Sequence, residues 1–346
     1  MAPVRPVVLR FVSSVVSLAL LAGCHCHRDV DAPKRYEGDA AAPPATSAAP
    51  APPAPTTSSP SASAAAPTDS GDAGTPTPAP ALSELPLGGR ELFPTYRLVG
   101  YCGTPGAPAL GQLDGNLPRK VKNLQAYADK YPQDRKPLLV FELIVVVVQS
   151  YPGADGKYRR RIDTSVIDDY LAAARQAKAL LLLNIQPGQS DFMTELKRLE
   201  TYLREPDVGV ALDPEWAVKA KQKPGVFYGQ TTGATINEVS SYLSGIVKEG
   251  NLPEKALVFH QLNRYVVKDE SVVAPQPGVV VIKSVDGLGP KHAKILTYND
   301  LMKTMAPGVH AGFKLFLDED KRIGGKVMSP TEVMALTPQP EYVMVE

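Results

Sequence analysis

Cysteine is scarce in this 346-residue chain, three in all, which excludes a fold stapled by disulfides. Charge of one sign is lacking as well. Against 36 Asp and Glu stand 37 Lys and Arg, a formal net charge of +1, so bulk electrostatics favour neither nucleic acid nor an anionic surface. Past the N-terminal region no apolar run approaches the roughly 20 residues that a spanning helix needs. FELIVVVV, ending at Val148, suits a buried strand instead. Also missing are a Walker loop, a GxSxG elbow, an HExxH motif and any Cys/His ligand pair in the C-terminal part. No cofactor and no metal are therefore expected, and nucleic acid is not an expected partner.

The N-terminus does carry a pattern. Arg5 and Arg10 precede FVSSVVSLALLAG, an apolar stretch of about 13 residues with the order of a secretory signal. Leu21, Ala22, Gly23 and Cys24 resemble a lipobox. The expectation is a signal peptide over 1–23, with Cys24 acylated, becoming the new N-terminus and holding the protein on a cell membrane or outer membrane, outside the cytoplasm. Two or three acyl chains meet the requirement for stable anchoring. Ordinary secretion, with cleavage near Ala22, is the alternative. Cys24, His25, Cys26 and His27 look like metal ligands, but a lipidated Cys24 is no longer a thiolate. Residues 24–88 are dominated by Ala, Pro, Ser and Thr. Such a chain buries too little apolar surface to offset its ordering entropy, so a disordered tether is expected, which its prolines keep extended as a semi-flexible spacer. An O-glycosylated stalk would serve the same spacing role.

Residues 89–346 have the length of one (β/α)8 TIM-like barrel. Apolar runs predict eight strands, near 97–102, 137–148, 179–186, 208–213, 256–261, 278–284, 309–317 and 341–346. Helical spacing recurs over 118–130, 164–178, 190–204, 234–249, 297–305 and 329–336. Strands alternating with helices imply parallel pairing. Ser190 and Asp191 sit where an N-cap is wanted, and Gly250 where a C-cap is. The connection between the fifth and sixth strands lacks a convincing long helix, and the loop over 213–233 is long. An open doubly wound sheet is the alternative, but the glycines of YCGTPGAPALGQLDG lack the spacing that fold uses.

In a parallel barrel the C-terminal strand ends carry the chemistry. Those ends supply Glu142, then Asn184 and Gln186, then Asp213, Glu215 and Trp216, then His260 and Gln261, then Lys283, then Lys314 and Asp318. Residues two apart share a face, so Asp213 follows Gly209 and Ala211, Lys314 follows Gly312, and Asn184 pairs with Gln186. With those faces inward, Glu142, Asn184, Gln186, Asp213 and Lys314 ring one cavity. Amides and charges bond hydroxyls, and Trp216, Tyr228 and Tyr101 offer flat faces, as a sugar site requires. Glycoside hydrolysis needs one protonated and one ionised carboxyl. Glu215 is the candidate acid, with Asp213 or Glu142 as the second carboxylate. Asn184, Gln186, Trp216, His260, Gln261, Lys283, Lys314 and Asp318 are candidates for holding substrate. Each has a structural reading too. Glu142 suits a buried partner of Lys314 or Lys283, Asp213 and Glu215 suit a capped turn, His260 suits a core histidine, and 318–322 suit a solvated loop.

Asp213-Pro214-Glu215 at a strand end resembles the close of the strand-four motif of family 18 chitinases, in which the final Glu is the acid. Ala211 stands where that motif has its earlier acidic residue. Further, FELI at 141–144, PGADGKY at 152–158, NIQPGQSDF at 184–192, ALDPEW at 211–216 and GFKLFLDED at 312–320 resemble uncharacterised secreted bacterial proteins and lipoproteins with glycosidase-type barrels. The resemblance implies an extracytoplasmic barrel with a cell-envelope or extracellular glycan as its partner, and no particular reaction. A non-catalytic glycan-binding or structural envelope lipoprotein is the alternative.

Overall fold

The computed structural model describes residues 83–346. The expected signal peptide, Cys24 and nearly all of the expected linker lie outside the described residues. Among the described residues eleven strands run in chain order: β1 (Tyr96–Gly103), β2 (Lys136–Val148), β3 (Arg159–Arg161), β4 (Leu180–Ile185), β5 (Val208–Leu212), β6 (Thr231–Thr232), β7 (Lys255–Gln261), β8 (Val267–Lys268), β9 (Val279–Val285), β10 (His310–Leu315) and β11 (Tyr342–Val345). The parallel order β2-β4-β5-β7-β9-β10-β11-β1 closes on itself through the pairing of β1 with β2. The result is an eight-stranded barrel in which all eight expected strands take part, so the open-sheet alternative is excluded. β3 adds an antiparallel edge to β2, and β6 pairs with β8 apart from the barrel.

Side-chain alternation sorts the apolar residues into two layers. Val99, Phe141, Leu181, Val210, Phe259, Val281, Phe313 and Val343 face outward and pack with helix residues such as Ile167, Ile236 and Leu301. Leu98, Val140, Leu182, Ala211, Val258, Ile282 and Met344 fill the interior. That interior is packed tightly: a Cβ on Gly209 would lie 2.6 Å from the Ala256 carbonyl and 2.7 Å from Leu182. The barrel is therefore a filled core with its chemistry at the rim rather than a pore.

Eight α-helices accompany the strands among the described residues: α1 (Leu117–Ala128), α2 (Thr164–Gln176), α3 (Phe192–Lys197), α4 (Glu200–Leu203), α5 (Gly233–Gly250), α6 (Lys291–Met302), α7 (Leu317–Gly324) and α8 (Pro330–Met334). Caps set several of their ends. The Asp191 carboxylate accepts from the Thr194 amide at 2.8 Å at the start of α3, and Thr232 does the same for Thr235 at 3.1 Å on α5. None of these helices is long and apolar enough to cross a membrane.

Some local expectations are corrected. One helix over 190–204 becomes two, α3 and α4, parted at Arg198–Leu199 with Leu196, Leu199 and Leu203 all buried. Gly250 is the last residue of α5, and Asn251 takes the left-handed C-cap at φ 47°. The helix expected over 297–305 starts earlier, at Lys291, because Lys294 sits on its buried face beside Tyr298 and Leu301. The acidic run after β10 forms α7, with Asp318, Glu319 and Asp320 in its first turn and Lys321 and Arg322 in its last, the arrangement a helix dipole favours. The β7–β9 crossover contains no α-helix, and a cleft of about 610 Å³ opens there, lined in part by Arg264, Lys268, Glu270 and Lys303.

Candidate functional site at the barrel mouth

The inward face at the C-terminal strand ends gathers charge. Glu142 from β2 is fully buried. It accepts from the Asn184 amide at 3.0 Å on one oxygen and from the Tyr342 hydroxyl on the other. His260 from β7, also fully buried, places Nε2 3.1 Å from Glu142 Oε1 and 3.9 Å from Asp213 Oδ1. The Nε2 contact has ion-pair distance but lacks hydrogen-bond direction. On the other side of the ring, Nδ1 lies 3.0 and 2.9 Å from the two oxygens of Asp286. Asp286, just after β9, also accepts from Ser284 at 3.0 Å and lies 3.5 Å from Lys314 Nζ. Lys314 from β10 completes the chain with Glu346 at 2.7 Å. Charges thus alternate along Glu346, Lys314, Asp286, His260 and Glu142.

Asp213 stands beside this chain at the end of β5. It accepts from Asn184 at 3.3 Å and from Gln186 at 2.9 Å, and Gln186 is itself oriented by the Val148 amide at 3.2 Å. One residue on, Pro214–Trp216 forms a 3-10 turn that lifts Glu215 above the ring. Glu215 as a whole is partly exposed, yet its Oε2 is buried and has no hydrogen-bond partner in the protein. Asn184 Oδ1 and His260 Nε2 are likewise buried without a hydrogen-bond partner. Three polar atoms of differing character are therefore left unsatisfied at one mouth, an arrangement a folded protein rarely leaves without a reason.

The environments split the carboxyls into two groups. Burial alone would raise Glu142, but the His260 and Lys314 charges and the Tyr342 hydrogen bond hold its pKa down at about 2. Asp286 is likewise lowered: burial opposes ionisation, and His260 and Lys314 outweigh it. Glu215 goes the other way. Burial, then the negative charges of Asp213 and Asp286, push it well above the ordinary glutamate range, and His260 only partly compensates. Asp213 is raised by burial in spite of His260 and Lys314. For His260 burial favours the neutral ring, but Asp286 and Glu142 carry its pKa well upward, so the ring is an imidazolium. Two cations thus face the two carboxylates with lowered pKa values, and of the two raised carboxyls Glu215 is pushed up further than Asp213.

Neighbouring loops wall the mouth on one side. The β2–β3 hairpin is closed by Gln149 donating to Tyr158 at 2.8 Å, and its Lys157 carbonyl accepts from Gln189 at 2.7 Å. Arg159 and Arg161 grip the buried Glu195 at 2.9 and 2.6 Å. Gly188 bridges to Ala217, and Gln189 Nε2 donates to Gln222 at 2.8 Å. The Gly229 amide donates to the Glu215 carbonyl at 2.6 Å, which sets Tyr228 against Glu215; burial raises the Tyr228 phenol, and Glu215 adds to this where it is ionised. Opposite, Lys294 donates to the Gly287 and Lys314 carbonyls and pairs with Asp320 at 3.0 Å. Asp320 in turn caps the Gly289 and Phe316 amides, each at 3.1 Å. This buried pair ties the loop after β9 to the loop after β10.

Of the residues singled out from sequence, Glu142, Asn184, Gln186, Asp213, His260 and Lys314 meet in the ring, with Glu215 and Trp216 on the turn above it. Four do not join them. Lys283 sits among the outward-facing residues of β9 and pairs with Glu270 at 2.6 Å. Gln261, next to the inward His260, donates to the Asn263 carbonyl at 3.3 Å. Asp318 is exposed in the first turn of α7. Tyr101 packs in the outer layer. The partner of Glu142 is His260 rather than either lysine. Asp286, just beyond Lys283 in sequence, joins the ring in place of that lysine, and Ser284, Tyr342 and Glu346 were not foreseen, although inward alternation on the last strand, through Tyr342 and Met344 to Glu346, carried the signal for two of them. Among the described residues, no three His, Cys, Asp or Glu side chains are arranged to hold a metal ion. No protein-family model and no curated protein matches this chain.

Proposed function

We propose that the barrel is a glycoside-hydrolase-type enzyme, held outside the cytoplasm through lipidated Cys24 and acting on cell-envelope or extracellular polysaccharide. One observation carries the reading: two neighbouring carboxyls at the mouth are raised unequally, Glu215 well above the ordinary range by burial and by the charges of Asp213 and Asp286, and Asp213 less, because His260 at 3.9 Å and Lys314 oppose its burial. That division is what protonating a leaving oxygen while stabilising or attacking an oxocarbenium-like carbon demands. Glu215 is the general acid. Asp213 is the second carboxylate, held by Asn184 and Gln186. Glu142, buried and bonded on both oxygens, is a fixed negative charge that keeps His260 protonated. The unsatisfied Asn184 Oδ1 is an acceptor for a sugar hydroxyl.

The closed pairing of Glu346, Lys314, Asp286 and His260 also suits a barrel that binds glycan without cleaving it. The two readings part on one experiment. The purified protein and its Glu215→Gln variant are incubated with a panel of polysaccharides and the products read by mass spectrometry. Cleavage by the wild type, abolished in the variant with binding retained, supports the enzyme. Cleavage retained in Glu215→Gln refutes the assignment of Glu215, and binding without product supports the binding barrel.

A further inference from the structure

The wall beside Glu215 differs from the mouth in chemistry. Between Pro214 and Thr232 the only acidic residue is Glu215, whereas Lys219, Lys221 and Lys223 are all exposed. Lys157, on the neighbouring β2–β3 hairpin, is exposed too. None of these four ammonium groups has a carboxylate partner among the described residues. The same wall carries Tyr151, Phe227 and Tyr228, which are 56%, 49% and 37% exposed. Exposed aromatic rings next to unpaired cations are costly to leave bare and suit a partner with flat faces and negative charge.

The wall is also built to hold its shape. The hairpin, the Gly188 loop and the 217–230 segment are joined by main-chain contacts at Gln189, Val218 and Gln230 of 2.7, 2.9 and 3.0 Å. A Cβ on Gly229 would lie 2.4 Å from the Ala217 nitrogen, so this close approach admits glycine alone. Tyr228 is thereby fixed next to the acid, and the shelf begins where the scissile bond would lie.

Resting on the proposed function, we infer that this shelf is the subsite for sugars flanking the cleaved bond, and that the substrate is an anionic polysaccharide bearing carboxylate or phosphate groups. Rings stack on Phe227, Tyr228 and Tyr151, and the acidic substituents meet Lys157, Lys219, Lys221 and Lys223. The sugar entering the mouth is neutral, because five carboxyls there face two cations that are already engaged. An acidic sugar is accepted only on the shelf.

The test measures binding of the full chain to polygalacturonate, a phosphorylated mannan, neutral dextran, a short DNA duplex and phosphatidylglycerol vesicles. The expected result is binding to one or both anionic glycans and not to dextran, weakened about tenfold when salt is raised so that the Debye length falls well below 10 Å. The triple variant K219S/K221S/K223S is expected to lose about tenfold in affinity, comparable to the salt effect, and F227A/Y228A to lose a similar factor, while E215Q keeps binding. Equal binding of the triple variant and wild type, equal binding of dextran, or tighter binding of DNA or vesicles than of either anionic glycan overturns the inference. The arms separate the two claims. Hydrolysis that is indifferent to the shelf variants sinks the shelf alone, and shelf binding without hydrolysis sinks the reaction alone.

Discussion

Replacing Glu142 by Gln tests the electrostatic core of the mouth. The substitution preserves shape but leaves imidazolium His260 without one of its two close carboxylates, at 3.1 Å in the wild type. Breaking a buried pair by removing one partner costs about 3–5 kcal/mol. Part of that cost is tied to pH, and its sign follows from the direction of the shift. The folded state holds Glu142 at about 2, below its ordinary 4.5, so between these values the unfolded chain binds more protons. The stabilisation is present in full above about 4.5 and is lost as pH falls through about 2. At 1.36 kcal/mol per unit this amounts to about 3 kcal/mol. Urea denaturation read by the fluorescence of Trp216, the one tryptophan, and by far-ultraviolet circular dichroism should show E142Q far less stable than wild type near neutral pH. The gap should narrow steadily as both are acidified. A gap of no more than about 1 kcal/mol at neutral pH, the scale of a surface pair, would refute the burial argument, and a gap independent of pH would refute the ionisation.

Asp286→Asn removes a charge that raises both Glu215 and His260, so the basic limb of the kcat/KM profile should move to lower pH; an unmoved basic limb argues against Glu215 as the acid. Lys294→Met leaves Asp320 buried without its ammonium and should cost about 3–5 kcal/mol, visible as a lowered Tm, whereas an unchanged Tm shows that the two loops need no clamp. Gly188→Ala introduces a Cβ 2.4 Å from the Lys157 carbonyl at φ +61° and should destabilise by at least about 1–3 kcal/mol. Limited proteolysis should then cut first in the β2–β3 hairpin, and protection equal to wild type contradicts the packing described.

Strand positions were legible because period two and apolar content coincide there: the inward and outward faces of β4, β5 and β10 follow directly from Asn184 and Gln186, Gly209 and Ala211, and Gly312 and Lys314. Burial of charge is what obscured the rest. Lys294 interrupts an apolar stripe that is continuous in space, because its ammonium finds Asp320 and two carbonyls, and α6 was therefore expected to start too late. Asp320 hid α7 in the same way, since a helix whose buried contact is a carboxylate carries no hydrophobic signature. Lys283 shows the converse. It ends an apolar run on β9 as a functional residue would, yet the neighbouring Ser284 and Asp286 hold the inward positions. The site itself depended on contacts between strands far apart in sequence, such as Tyr342 with Glu142, which no local spacing encodes.

That long-range pairing also separates Glu142 from Asp213, two carboxylates equivalent on sequence grounds. Glu142 is bonded on both oxygens and faces imidazolium His260, so it neither accepts a proton near neutral pH nor reaches a substrate. Asp213 has Asn184 and Gln186 as hydrogen-bond donors and lies 3.9 Å from the same imidazolium. Its ionisation depends on His260 staying charged, and His260 stays charged because Glu142 and Asp286 do. Glu215 stands two residues beyond Asp213, with burial first, and then the charges of Asp213 and Asp286, opposing its ionisation. Burial is therefore the larger part of what opposes ionisation of Glu215, and from the buried ion chain Asp286 adds to it while His260 subtracts, which is why Glu215 holds its proton more tightly than Asp213.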